Sequence, residues 1–420
     1  MKKFFLLAAA ALVALTACTK IDDVTSTPDM KIGYQVANYA TQTKAGNDSF
    51  LDELTSAPFS KQQSDVFFKS VAFINADDGN GGVEAPARFF TAATNQIETI
   101  SYTSGDPAVW EPSHTYYWPK SPNSTLDFFS WYDLSATTSN AIANATFATN
   151  TYTLAWSGRT VALKDNIMYA DPVWDQKANS ATYKYNSVKE GVPTLFHHAL
   201  AQVRFQFKQK TMSKVDTKNN TNSTFWVVKV KNITIPASKW VKTGSLSLTA
   251  AKSAAWTTPS NLIWAPGGEY WTSSDIFLAD AAGTTGKELT DSAVTFNQDN
   301  QMSDGYITVL PQALGNDFLL NFDIEIVTKY GATSGGASGA TLVSTETIHV
   351  KDFPSGGALV NNSGIQLNLM TTIGSYWKMN YKYTYIFEID PETSTILYDP
   401  AVEAWQTDVN QTQTIPHVEP

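Results

Sequence analysis

Five histidines and one cysteine bound the chemistry open to this chain of 420 residues. His197 and His198 are adjacent. In a strand such neighbours point to opposite faces, so the pair cannot share a metal ion. His114, His349 and His417 have no second ligand at a recognisable spacing. A single thiol rules out an intrachain disulfide, a zinc–thiolate cluster and an iron–sulfur centre. The sequence contains no Gly-x-Ser-x-Gly elbow, no Gly-x-x-x-x-Gly-Lys-Ser/Thr phosphate loop and no His-Glu-x-x-His pair. Asp390 and Glu392 flank Pro391 and read as solvated turn charges rather than as an acid–base pair. The expectation is a protein that is not an enzyme and uses neither metal nor cofactor.

The cysteine has a chemistry of its own, set by its position. Lys2-Lys3 is a charged start, Phe4 to Leu15 is an apolar run, and small residues follow, as in a secretory signal. The run is too short for a spanning helix, which needs about 20 apolar residues. Leu15-Thr16-Ala17-Cys18 resembles the bacterial lipobox, in which a peptidase cuts before the cysteine and the thiol carries diacylglycerol. Residues 1–17 are therefore expected as signal peptide, with Cys18 the lipidated terminus of a chain anchored to the membrane by lipid alone. Losing Lys2 and Lys3 takes the formal charge from -10 to -12. That acidic balance argues against nucleic acid as a partner.

The elements that would carry these residues read as strands. Hydrophobic residues make up 43% of the chain, enough for sizeable cores, whereas charged residues reach only 16%. Aromatics at 12%, with many Ser, Thr and Asn, favour strands and polar loops over helices. Ile32, Tyr34 and Val36 alternate with Gly33, Gln35 and Ala37, a short strand with one apolar face. Thr43-Lys44-Ala45-Gly46-Asn47-Asp48 ends it in an exposed loop, and Ser49–Leu54 suits one helical turn. Further strands are expected near Val66–Ile74, Ile97–Tyr102, Leu126–Trp131, Tyr152–Trp156, Ile167–Tyr169, Ala199–Phe207, Val227–Ile235 and Ser245–Leu248. Others follow near Ile276–Leu278, Tyr306–Leu310, Phe318–Val327, Leu342–Val350, Ile365–Leu369 and Tyr381–Ile389, with Lys210–Thr224 as a hairpin loop. Many short alternating strands between turn-rich pieces indicate antiparallel sandwiches.

A weak internal repeat suggests two such units. Tyr116-Tyr117-Trp118-Pro119 is followed seven positions after the proline by Leu126; Thr308-Val309-Leu310-Pro311 is followed at the same distance by Phe318. In each, a strand ends at proline, which cannot continue a ladder, and a buried strand opens after one loop. Val66–Ile74 echoes Val227–Ile235 in the same way. The boundary falls best near Gly191-Val192-Pro193, giving units 45–192 and 193–420. The twelve tryptophans allow a second reading. Exposed, they would stack on sugar rings; Trp131, Trp156 and Trp226 sit inside strand patterns and are expected in cores.

Several of these segments together resemble the fimbrillin family, the type V pilins of Gram-negative anaerobes. They are the signal and lipobox, the alternating strand closed by Thr43-Lys44-Ala45, and Tyr117-Trp118-Pro119 before Leu126–Tyr132. Phe196–Val203, Leu310-Pro311-Gln312, Tyr381–Ile389 and Ala404-Trp405 complete the set. The resemblance implies an all-β fold with two tandem transthyretin-like antiparallel β-sandwich domains behind a lipidated leader, residues 18–44. It implies a structural pilus subunit serving adhesion, exported as an outer-membrane lipoprotein and assembled into an extracellular fimbrium. It also implies a maturation protease that cuts between Lys44 and Ala45, removing the strand of Ile32, Tyr34 and Val36. The family usually cleaves after arginine; Lys44 holds that place here. A donor strand from the next subunit would fill the gap, with Val402, Ala404, Val409, Ile415 and Val418 as its candidate residues. Partners would be other pilin subunits, the protease, the outer membrane through the lipid, and a host or bacterial surface receptor. The alternative from another class is a surface glycan-binding β-sandwich lipoprotein in polysaccharide uptake.

Overall fold

The computed structural model describes residues 31–38, 67–79, 82, 84–103, 109–121, 123–133, 144–148, 150–177, 191–298, 305–350, 360–361, 364–367, 375–398 and 401–404. The leading strands of the first half are β1 (Tyr34–Asn38), β2 (Phe67–Asn75), β3 (Glu98–Thr103), β4 (Val109–Pro112) and β5 (Thr125–Asp133). After them come β6 (Asn144–Ala148), β7 (Thr151–Thr160), β8 (Ile167–Ala170) and β9 (Val192–His198). The second half is built on β10 (Ala201–Gln209), β11 (Asn222–Thr234), β12 (Thr243–Ala251) and β13 (Leu319–Ala332), then β14 (Thr341–His349), β15 (Tyr381–Asp390) and β16 (Ala401–Ala404).

The first sheet runs β5-β8-β9-β1-β4-β3-β2, and β2 pairs back onto β5, so seven strands close into a ring. Inside it lie Phe68, Ile100, Trp110, Phe128, Met168 and Phe196, all buried. The outer face of β2, β5 and β8 packs on a four-stranded sheet of β6, β7, β12 and the short strand Ala265–Pro266. β5 is therefore covered on both faces and buried at all nine positions. Such a strand has no polar side to show, and its sequence Thr-Leu-Asp-Phe-Phe-Ser-Trp-Tyr-Asp does not alternate.

The remaining strands form two sheets around one large core. β10 and β15 are central to one sheet and β11 and β13 to the other. Aromatic side chains interlock between them: Phe207 stacks on Phe387 at 4.8 Å and meets Phe322 edge-on at 5.0 Å. Phe205 stacks on Tyr385 at 4.9 Å and Trp240 on Phe318 at 4.9 Å. Most expected strands are present within a few residues, and Ser213–Val215 folds back on β11 as the expected hairpin. Ile276–Leu278 is a correction. Ser273–Ile276 is a short helix, because Thr272 and Asp275 form a reciprocal capping box that satisfies its first amides. The expected turn at Ser49–Leu54 lies outside the described residues.

Two pairs run parallel within these otherwise antiparallel sheets. β1 lies parallel to β9, and β10 lies parallel to β15 over eight paired positions. The echo found in sequence has a counterpart in pairing: β2 is antiparallel to β5, and its echo β11 is antiparallel to β13. In each half the opening strand is parallel to a strand near that half's end. The pairing does not respect a boundary at 192/193, however. β9 begins at Val192 and belongs to the first ring, while β12, from the second half, pairs along β7 from Thr151 to Thr160.

Polar contacts fasten β12 and the loop after it to the ring. The indole of Trp256 donates to the Ala170 carbonyl at 2.8 Å, Trp264 to Ala199 at 2.7 Å, and Trp174 to Ala254 at 2.9 Å. Lys252 reaches the buried carboxylate of Asp127 at 2.6 and 2.7 Å, beside Asn75 and Tyr152. A fragment ending at Val192 would expose the outer faces of Val71, Phe73, Phe129 and Trp131 and leave Asp127 without its lysine. Such a fragment is expected to show no cooperative thermal transition by circular dichroism and to bind a hydrophobic dye, whereas the full chain melts cooperatively and stays dye-free.

Candidate functional site

Among the described residues no group of three or more His, Cys, Asp or Glu side chains is placed to hold a metal ion. His197 Nε2 turns to Asp171 at 3.0 Å, while His198 is buried and turns to Asn166 at 2.9 Å. The two rings leave the strand on different sides, as their adjacency requires. The feature with functional geometry is instead the seat of β1, built from the alternating run that follows Lys31.

Ile32 and Tyr34 are 2% and 5% exposed, so the apolar face of the strand points into the ring. Val36 lies in the paired stretch opposite Thr194. Tyr34 meets Phe68 edge-on at 5.5 Å and Phe128 at 5.8 Å. Its hydroxyl donates to Ser70 Oγ at 2.9 Å, which also accepts from Ser130 at 2.9 Å. Burial pushes the Tyr34 hydroxyl far above the ordinary tyrosine range, offset in part by Ser70, so the group stays protonated and remains a donor. Phe68 touches Trp110 and Phe196, which line the seat on either flank of the strand.

The two backbone seams differ. Toward β9, five positions pair from Tyr34–Val192 to Asn38–Phe196, and the Val192 N–H donates to the Gly33 carbonyl at 2.8 Å. Pro193 costs this ladder nothing. With the Val192 amide aimed at β1, the next residue aims at β8, whose pairing with β9 starts only at Phe196. Toward β4, the ladder holds Tyr34–Trp110 alone, and contact resumes where the Ile32 N–H donates to the Tyr116 carbonyl at 2.9 Å and Lys31 bridges Tyr117. Between these points Ser113, His114 and Thr115 loop out and are exposed.

Other residues singled out in the sequence fall elsewhere. Leu15, Thr16, Ala17, Cys18, Lys44 and Ala45 lie outside the described residues, as do Val409, Ile415 and Val418. Val402 and Ala404 lie in β16, antiparallel to β15 opposite Tyr383 and Tyr381, and Val402 packs on the second core. Sequence reasoning missed Ser70, Ser130 and Glu98 as parts of the seat. A carboxylate opening the strand Glu-Thr-Ile-Ser-Tyr-Thr was the one available signal. Tyr34→Phe removes the hydroxyl bond while Ser70 keeps Ser130, so it should cost about 1 kcal/mol. Tyr34→Ala also empties the aromatic seat and should cost about 3–5 kcal/mol. Denaturant unfolding of the two variants measures both.

No family model matches the sequence, and no curated protein matches it. Among solved structures, a fimbrial protein from Bacteroides vulgatus superposes with a TM-score of 0.52, at 16% identity, over 90% of this chain and 100% of that one. The tip fimbrial protein Mfa3 from Porphyromonas gingivalis, with C-terminal truncation, aligns over 82% of this chain and 95% of its own, at 8% identity and a TM-score of 0.26. The chain shares the fold of the Bacteroides vulgatus fimbrial protein.

Proposed function

We propose that this protein is a structural fimbrial subunit of the fimbrillin type, polymerised by exchange of its first strand. The observation that carries the reading is the position of β1. It is a stave of a closed ring, yet neither ring neighbour, β9 or β4, is next to it in sequence. After one cut in the chain that follows, β1 leaves without re-threading any other strand. What it vacates is a groove lined by Phe68, Trp110, Phe128 and Phe196, flanked by unpaired backbone groups on β9 and β4, and such an edge takes up a foreign strand. Burial of Ile32 and Tyr34 is worth roughly 1.5–3 kcal/mol each, which keeps the uncut subunit closed.

In this reading the lipobox directs Cys18 to the outer membrane, a protease cuts between Lys44 and Ala45, and the trimmed subunit joins an extracellular fimbrium. The donor is the C-terminal segment from Val402 to Val418 of a neighbouring copy or a related pilin, which must first leave β15. A surface receptor, host or bacterial, is the adhesion partner. No reaction is catalysed. The glycan-binding alternative rests on exposed indoles, and the described tryptophans offer none. Trp174 and Trp226 are half-buried, and the other nine, Trp131, Trp156 and Trp264 among them, are buried.

Two experiments test the scheme. Cys18→Ala should abolish incorporation of radiolabelled palmitate; label retained in the variant removes the lipoprotein step. Mild trypsin treatment should convert the parent from monomer to ladders on native gels and filaments under the electron microscope, with Lys44→Ala remaining monomeric. Assembly of Lys44→Ala at the parental rate would dispose of gating at this site.

A further inference from the structure

The weak seam of β1 is held from a distance by one side chain. Glu98 opens β3, pairs with Ser70 across β2, and its carboxylate has no exposed surface. Oε1 accepts the Thr99 N–H at 3.1 Å, the Ser113 N–H at 3.0 Å and the Ser113 hydroxyl. Oε2 accepts the Tyr116 hydroxyl at 3.0 Å and lies 3.1 Å from His114 Nδ1. Four of these five contacts come from residues 113–116, the segment that loops out between the two points where β4 and its continuation touch β1. The carboxylate thus gathers the loop and returns the Tyr116 carbonyl to the Ile32 amide. The Tyr116 ring, packed on Phe90 at 4.7 Å, fixes the same residue from the other side.

We propose that Glu98 is the latch of the first strand: its ionised carboxylate fixes residues 113–116 in the shape that binds Ile32, so protonating or neutralising it frees the start of β1 locally, from the β4 seam first and then from the Gly33–Val192 bond. The proposal rests on β1 being the strand that leaves, and it adds what regulates that departure. The surrounding groups favour the charge. Burial raises the Glu98 carboxyl, but donors from Ser113, His114, Tyr116 and Thr99 outweigh it and hold the group below the ordinary glutamate range. Lys69, on β2, bonds the Thr99 hydroxyl and adds a positive charge nearby; the other groups facing the site are His114, Tyr116 and the protonated Tyr34. With the folded value depressed, the latch is complete above the ordinary glutamate range and is lost as pH falls through the lower folded value.

Hydrogen exchange on the full uncut chain reads this directly. The Ile32 and Val192 amides, which bond Tyr116 and Gly33, report β1, while β10 and β15 amides report global unfolding. In Glu98→Gln the first two should exchange about tenfold to a hundredfold faster, the range expected when charge-assisted bonds are lost, with the second set unchanged. Tyr116→Phe, which removes one donor and leaves the charge, should shift the same amides less and serves if the glutamine variant does not fold. In the parent, exchange at Ile32, corrected for intrinsic rates, should rise further at acid pH, and this rise should vanish in Glu98→Gln. Parental rates in both variants, a uniform rise across all strands, or an acid rise that survives in Glu98→Gln would overturn the latch. Opening of β1 is measured without any filament, so an assembly scheme that fails at Lys44 leaves this result standing.

Discussion

A sheet edge with unpaired amides must be covered, and the first ring of this protein covers its last edge with the first of its described strands. Every other stave of that ring is brought by chain that runs from β2 to β9. β1 alone arrives from outside that run, enters parallel to β9, and closes the ring. Its inward residues complete an aromatic interior in which Phe68 touches Tyr34, Trp110 and Phe196 at once. Closure abolishes edges, so the ring resists pairing with other chains only while β1 is seated. On the proposed function, the same geometry would keep the whole chain closed and leave a trimmed one with an open edge.

Parallel pairing of an opening strand with a late one occurs twice, but the two instances are not equivalent. β10 follows β9 after only Ala199 and Leu200, both buried, and is locked between β15 and short strands at Ile307–Val309 and Val294–Thr295. Removing it would tear one half from the other. Among the described residues β1 has no such direct link to a ring neighbour, because the next described strand, β2, is not beside it in the sheet. The two parallel pairs thus differ in that β10 joins the two halves directly, whereas β1 meets its ring neighbours only through the sheet. The fastening of β12 and the loop after it to the ring, by three indole bonds and the Lys252–Asp127 pair, involves no residue of β1.

Sequence patterning reached the strands whose two faces differ. The alternation of Ile32 and Tyr34 with Gly33 and Gln35 described β1 correctly, and β10, β13 and β15 follow the same rule. It was weaker where both faces are covered or where order is set by distant partners. β9 escaped notice because Val192-Pro193 reads as a boundary, and only the pairing shows that the proline amide faces a gap in the ladder. Nothing local announces that Thr243–Ala251 crosses to β7, since that choice depends on which face of β2 and β5 needs cover. Ile276–Leu278 failed because a capping box of Thr272 and Asp275 outweighed a three-residue apolar run. Glu98 offered only the weak local signal of a carboxylate opening a strand, because its five contacts come from two separate segments.

The buried polar groups of the ring also restrict what can replace β1. Ser70 and Ser130 hold one another and Tyr34, while Arg159 grips Asp133 and Asp165 at 3.0 and 3.1 Å near the opposite rim. Such groups are costly to bury, so their partners tend to fix register more than they add stability. On the proposed function, an incoming strand that repeats the pairing of β1 would run parallel to β9 and place apolar side chains at the two inward positions. It would bring no negative charge to the Tyr34 position, where the neighbouring hydroxyls already satisfy one another and the ionised Glu98 lies near enough to oppose an anion. A polar donor at that position, as Tyr34 supplies, would gain one hydrogen bond to Ser70, while a purely apolar one would lose little. Selection between incoming strands accordingly rests on shape in the aromatic seat and on direction, and the ladder on β9 supplies affinity that is nearly independent of sequence.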